Sequence, residues 1–121
     1  MPRVIHFEIP ADDPERAANF YKNAVGWEIR GWGGPAEYWL ASTGPDEEPG
    51  INGAIMRRPA WGACTIHVAV PSVDEHIVRV EKAGGEIVQG KSSIPGVGYM
   101  AYCRDTEGNV FGIYEDDPNA S

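Results

Sequence analysis

The clearest alternation of apolar and polar positions opens the chain. In Val4-Ile-His-Phe-Glu-Ile-Pro10, Ile5, Phe7 and Ile9 fall on one parity and His6 and Glu8 on the other. Period two predicts a strand with an apolar face and a face bearing a histidine and a carboxylate. The same pattern returns at His67-Val-Ala-Val-Pro71, 61 residues later, with Val68 and Val70 opposite His67 and Ala69. Each run leads into a helical segment. The first has Asp12-Asp13-Pro14-Glu15 before RAANFYKNAV and a stop at Gly26. The second has a capping-box pattern, Ser72-Val-Asp-Glu75, before HIVRVEKA and a stop at Gly84. Gly26-Trp-Glu-Ile29 and Gly84-Gly-Glu-Ile87 then match one another.

Three strand-like runs follow in each half: Trp27–Trp32, Glu37–Ala41 and Ile51–Met56, then Glu86–Gln89, Tyr99–Cys103 and Val110–Tyr114. Turn signals separate them at Gly33-Gly34-Pro35, Thr43-Gly-Pro-Asp46, Pro95-Gly-Val-Gly98 and Asp105-Thr-Glu-Gly108. Pro95–Gly98 reads as a hairpin, with a lid beside a cavity as the alternative. Each half is therefore β-α-β-β-β. A repeat of this length cannot cover its own sheet, so the prediction is one α+β domain, residues 1–121, of two tandem βαβββ modules (about 1–57 and 64–117) forming a curled mixed sheet.

Length and composition agree. A chain of 121 residues, 42% hydrophobic and 23% charged, is one globular domain. It buries roughly two-thirds of its unfolded surface and needs no disulfide to fold. Cys64 and Cys103 make no CxxC and read as reduced thiols. A net charge of −8 argues against nucleic acid or an anionic membrane as partner. No apolar run approaches membrane-spanning length, and MPRVIHFEIP does not read as a signal peptide, so a cytoplasmic location is expected.

The doubled module, with His6-Phe-Glu-Ile-Pro, Phe20-Tyr21…Gly26-Trp27, Gly50-Ile-Asn-Gly, His67, Ala83-Gly-Gly85 and Asp105-Thr-Glu-Gly-Asn109, resembles the vicinal oxygen chelate superfamily over about residues 3–117. That group contains glyoxalase I, fosfomycin-resistance enzymes, extradiol dioxygenases, methylmalonyl-CoA epimerase and bleomycin-resistance binding proteins. The resemblance implies a divalent metal held by a first-strand residue of each module and by last-strand carboxylates. His6 and His67 are the matching histidines. The carboxylate expected four residues after Gly108 falls on Gly112, and its counterpart in the first module is assigned to Gly53. Both are glycine. Glu115 is a weak alternative ligand of the wrong parity. A His6/Glu8/His67 set would be a two-His-one-carboxylate site, but not the arrangement the resemblance implies.

Three functional readings follow. The first is a glyoxalase- or bleomycin-resistance-like protein that binds a small organic molecule, flat or cationic, without the full metal site. Its pocket would be lined by Trp39, Tyr99, Tyr114, Gly53 and Gly112. Glu8 would be a buried carboxylate able to move a proton next to a carbonyl. The second is a lyase, isomerase or dioxygenase that uses zinc, nickel, manganese or iron on His6 and His67. The third is a partner-binding protein that keeps only the fold. A homodimer is expected, as is a solvent-exposed His76 on the second helix.

Overall fold

The computed structural model describes residues 2–33 and 37–121. Part of the Gly33-Gly34-Pro35 turn signal therefore lies outside the described residues. The chain divides into two compact units, residues 6–64 and residues 1–5 with 65–121. Each carries one βαβββ module, as the α+β reading requires.

The first module runs β1 (Arg3–Ala11), α1 (Pro14–Val25), β2 (Glu28–Gly31), β3 (Tyr38–Ser42) and β4 (Asn52–Arg57). β1 pairs with β4 in parallel, while β4–β3 and β3–β2 are antiparallel, giving the order β2-β3-β4-β1. α1 starts where the sequence signals it. Asp13 is extended and accepts from the Arg16 N–H at 3.1 Å, and Pro14 costs no hydrogen bond in the first turn. Gly26 ends the helix in the left-handed region, φ 77°, where a side chain would be strained. Ala18 and Tyr21 of α1 cover one sheet face, packing with Ile9, Ala11, Ile29, Trp39, Ala41 and Ile55. Trp27 stacks on Tyr21 at 5.0 Å between ring centroids.

The second module runs β5 (Thr65–Ala69), α2 (Val73–Lys82), β6 (Glu86–Ile94), β7 (Gly98–Arg104) and β8 (Val110–Asp116), with the order β5-β8-β7-β6. Ser72 caps α2 by accepting from the Glu75 N–H at 3.2 Å. Val73, Ile77 and Val80 pack on Val68, Val70, Ala101, Cys103, Phe111 and Ile113. β6 is longer than its sequence pattern suggests, because two register shifts carry pairing past Gln89 to Ile94. The Pro95–Gly98 segment is a hairpin turn. The Gly96 N–H donates to the carbonyl of Ala120, and the Asp117 N–H to that of Val97, so the last residues hold it. His76 is half-buried rather than exposed, with Nδ1 3.0 Å from the Ser72 carbonyl and a buried Nε2 that lacks a hydrogen-bond partner. No described helix is long and apolar enough to cross a membrane.

Candidate functional site

Strand pairing decides which side chains share a face, because residues opposite one another in neighbouring strands project to the same side. In the first module Glu8 pairs with Ala54, which pairs with Leu40. Tyr38 and Pro10 both pair with Met56. His6, Glu8, Tyr38 and Leu40 therefore lie on the face away from α1. There Tyr38 joins the two polar residues that β1 supplies. Its hydroxyl donates to Glu8 Oε2 at 2.7 Å and lies 2.6 Å from His6 Nε2. The His6 and Tyr38 rings are near parallel, 6.2 Å apart, and Trp32 meets Tyr38 edge-on at 6.0 Å. Glu8 is 4% exposed. Burying a carboxylate costs several kcal/mol unless hydrogen bonds replace its water. A hydrogen bond to a charged group returns about 1.5–3 kcal/mol.

In the second module His67 is equally buried, 4% exposed. Its Nε2 lies 3.3 Å from Thr65 Oγ1, and Tyr102 meets its ring edge-on at 5.6 Å. It pairs with Gly112 across β5 and β8. A Cβ on Gly112 would stand 2.4 Å from His67 Nδ1, so the glycine is what lets the imidazole lie against β8.

The pocket residues named from sequence divide between the two faces. Gly112 and Tyr114 share the face of His67, with Tyr114 opposite Ala69. The single proton of the Tyr114 hydroxyl is shared between two acceptors, the Val97 carbonyl and Asp116 Oδ1, both at 3.1 Å. Trp39 lies on the helix-covered face, opposite Ile55 and within the α1 core. Tyr99 packs in the α2 core, with Lys91 Nζ 4.4 Å from its ring centre. Gly53 pairs with Phe7, not with His6, so it also lies on the α1 face. A Cβ there would sit 2.5 Å from the Phe7 ring. The residue paired with His6 is Asn52, which is therefore the first module's counterpart of Gly112. Glu115 is opposite Tyr99 on the α2 face, where its Oε1 accepts from the Val73 N–H at 2.9 Å and so anchors the start of α2.

Tyr38 is the residue that the sequence reading does not single out. Its place beside Glu8 depends on the register of β3, which no local motif signals.

The residues present do not fit the metal set that the resemblance implies. His6 and Glu8 are both engaged with Tyr38. The strand positions opposite the two histidines carry Asn52 and Gly112, neither of them a carboxylate. Among the described residues no group of three or more His, Cys, Asp or Glu is placed to hold a metal ion.

Comparison with known proteins follows the same architecture. A family model described as a glyoxalase-like domain matches residues 5–114. A glyoxylase-like domain-containing protein of Didymella fabae is 32% identical over 118 residues, covering 92% of this chain and 91% of the relative. Among solved structures, a glyoxalase/bleomycin resistance protein/dioxygenase superfamily member from Vibrio splendidus 12B01 superposes with a TM-score of 0.70 at 15% identity, covering 96% of this chain and all of the other. Methylmalonyl-CoA epimerase from Mycobacterium tuberculosis gives a TM-score of 0.70 at 12% identity, covering 95% and 88%. At such identities the structural likeness shows the fold alone.

Proposed function

We propose that this chain, which belongs to the glyoxalase-like domain family of the vicinal oxygen chelate superfamily, binds a small organic molecule at the His6–Tyr38–Glu8 face of its first module. One observation carries this reading. Glu8 is buried and hydrogen-bonded through Tyr38 to His6, on a sheet face that α1 does not cover. A buried carboxylate costs more than an apolar residue of similar size, so its presence points to a role other than stability. Glu8 accepts hydrogen bonds from a ligand and, with a carbonyl compound bound, serves as the base for a proton on the adjacent carbon. The donor set supports a site that works without the family's full metal complement.

The test is thermal stabilisation by a panel of small carbonyl compounds and of flat or cationic organic molecules. A ligand at about a hundred times its Kd stabilises the native state by about 2.7 kcal/mol. For a domain of this size that raises Tm by roughly 10 °C. Glu8→Ala is expected to weaken the response by about 1–3 kcal/mol in affinity. Hits among the carbonyl compounds are then incubated in D2O, where exchange of the carbon-bound proton in the parent, but not in Glu8→Gln, reports the base. The reading fails if no compound stabilises the parent, or if the parent and Glu8→Ala respond alike.

A further inference from the structure

We infer that His6 Nε2 acts as a hydrogen-bond donor that positions Tyr38, and through it Glu8, and not as a metal-ligating nitrogen. The argument is a proton count. The Tyr38 hydroxyl donates to Glu8 Oε2, 2.7 Å away, so the phenol proton is used there. A phenol has one proton. Toward His6 Nε2, at 2.6 Å, its oxygen therefore presents a lone pair, and Nε2 must carry the hydrogen. A ligating nitrogen directs its own lone pair at the metal, so ligation through Nε2 and this bond exclude each other. The surroundings agree. Asn52, opposite His6, brings no carboxylate to the strand. Its Oδ1 instead accepts from the Thr43 N–H at 2.9 Å, closing the β3–β4 loop. The His6 ring lies near parallel to the Tyr38 ring and Trp32 meets that ring edge-on, which restricts it. Tyr38 is thus a positioning residue. It holds one carboxylate oxygen of Glu8, and His6 holds Tyr38.

This deepens the binding reading and rests on it only for the purpose of holding Glu8. Its test needs no organic ligand. The full-length protein, labelled with 15N-histidine, is examined near neutral pH by long-range 1H–15N correlation, in which protonated and unprotonated ring nitrogens resonate in separate regions. His6 is assigned by its absence from His6→Gln. The expected result is a protonated Nε2 on His6, and an unprotonated Nε2 overturns the inference. One equivalent of zinc chloride is expected to leave the His6 signals in place, and zinc-dependent loss of the Nε2 proton overturns it. Tyr38→Phe keeps the ring and removes only the oxygen. It is expected to shift the His6 Nε2 and Nε2-proton resonances, so an unchanged His6 spectrum in folded Tyr38→Phe also counts against the inference. The first two measurements use the parent protein and do not depend on that variant folding. A protonated Nε2 in a protein that no organic compound stabilises would sink the binding reading and leave this inference standing. The reverse pair of results would do the opposite.

Discussion

Replacing Gly112 by alanine adds one methyl group at the point where the two modules' histidines differ most in their surroundings. The new Cβ would lie 2.4 Å from Nδ1, 2.7 Å from Cε1 and 3.0 Å from Cγ of His67. These atoms belong to a rigid ring on a side chain that is 4% exposed, so the ring cannot swing into solvent. Either the imidazole leaves its rotamer or β8 shifts against β5, and overpacking of this kind costs about 1–3 kcal/mol. At roughly 4 °C per kcal/mol, Tm should fall by about 4–12 °C. Gly90 supplies the control. A Cβ there meets nothing within 4 Å and its φ is unexceptional, so Gly90→Ala should stay within about 0.5 kcal/mol of the parent. The decisive assay is a urea double-mutant cycle. His67→Ala is destabilising by itself, but it removes the obstacle, and Gly112→Ala in that background should cost less than about 0.5 kcal/mol. Equal costs for Gly112→Ala with and without the imidazole would refute the claim that the glycine exists to seat the ring.

Two further expectations concern groups whose protonation is shifted by their surroundings. Burial pushes the Cys103 thiol up to about 11, whereas Cys64 is exposed. A thiol reagent near neutral pH should therefore label one cysteine rapidly and the second only on unfolding, and two fast thiols in the native protein would contradict the described core. Burial, together with the hydrogen bond to Asp116 and its charge, pushes the Tyr114 phenol up to about 12. Because folding raises this pKa, the Tyr114 contribution holds below the unfolded value near 10 and is lost as pH rises toward 12. The stability difference between the parent and Tyr114→Phe in urea should thus shrink across that window, and a difference constant from pH 8 to 12 would show that Tyr114 is not the titrating group.

How far the sequence carried the structure depended on local markers. Both helices were legible because Asp13 and Ser72 cap them and Gly26 and Gly84 follow their ends. The doubled βαβββ order followed from the His-x-x-x-Pro repeat. In β8 the phase was legible too, since the Asp105–Gly108 turn sets it. Asp105 accepts from the Glu107 N–H at 2.8 Å and the Asn109 N–H at 2.9 Å, and the strand starts in a fixed register at Val110. Gly112 and Tyr114, both named as pocket residues from the sequence, lie on the face of His67. β4 has no such turn. Its preceding loop is closed by Thr43, whose hydroxyl donates to the Ile51 carbonyl at 2.6 Å, and no sequence motif announces that contact. The phase slipped by one residue, which moves a strand position to the opposite face. Gly53 was assigned to the histidine side while Asn52 holds that place. Trp39 and Tyr99 misled for a related reason. An aromatic residue suits either a core or a pocket, and only pairing with Ile55 and Glu115 shows that both face helices.

The two positions opposite the first-strand histidines explain why the family's chemistry does not transfer residue by residue. The superfamily resemblance leads one to expect carboxylates there. Gly112 instead gives its space to the His67 ring, and Asn52 gives its side chain to the Thr43 backbone. Gly112 could regain a carboxylate only by unseating the imidazole, whereas the Asn52 contact needs only a side-chain oxygen acceptor. The carboxylate this sheet does bury, Glu8, comes from the first strand itself, two residues after His6, and is held by a tyrosine from β3. Period two sufficed to put Glu8 and His6 on one face. It could not supply Tyr38, because that residue reaches the pair only through the antiparallel register of β3 on β4, a property of two strands and the loop between them. The His6–Tyr38–Glu8 group is therefore assembled from a contact across the sheet, where pattern within a single strand carries no information.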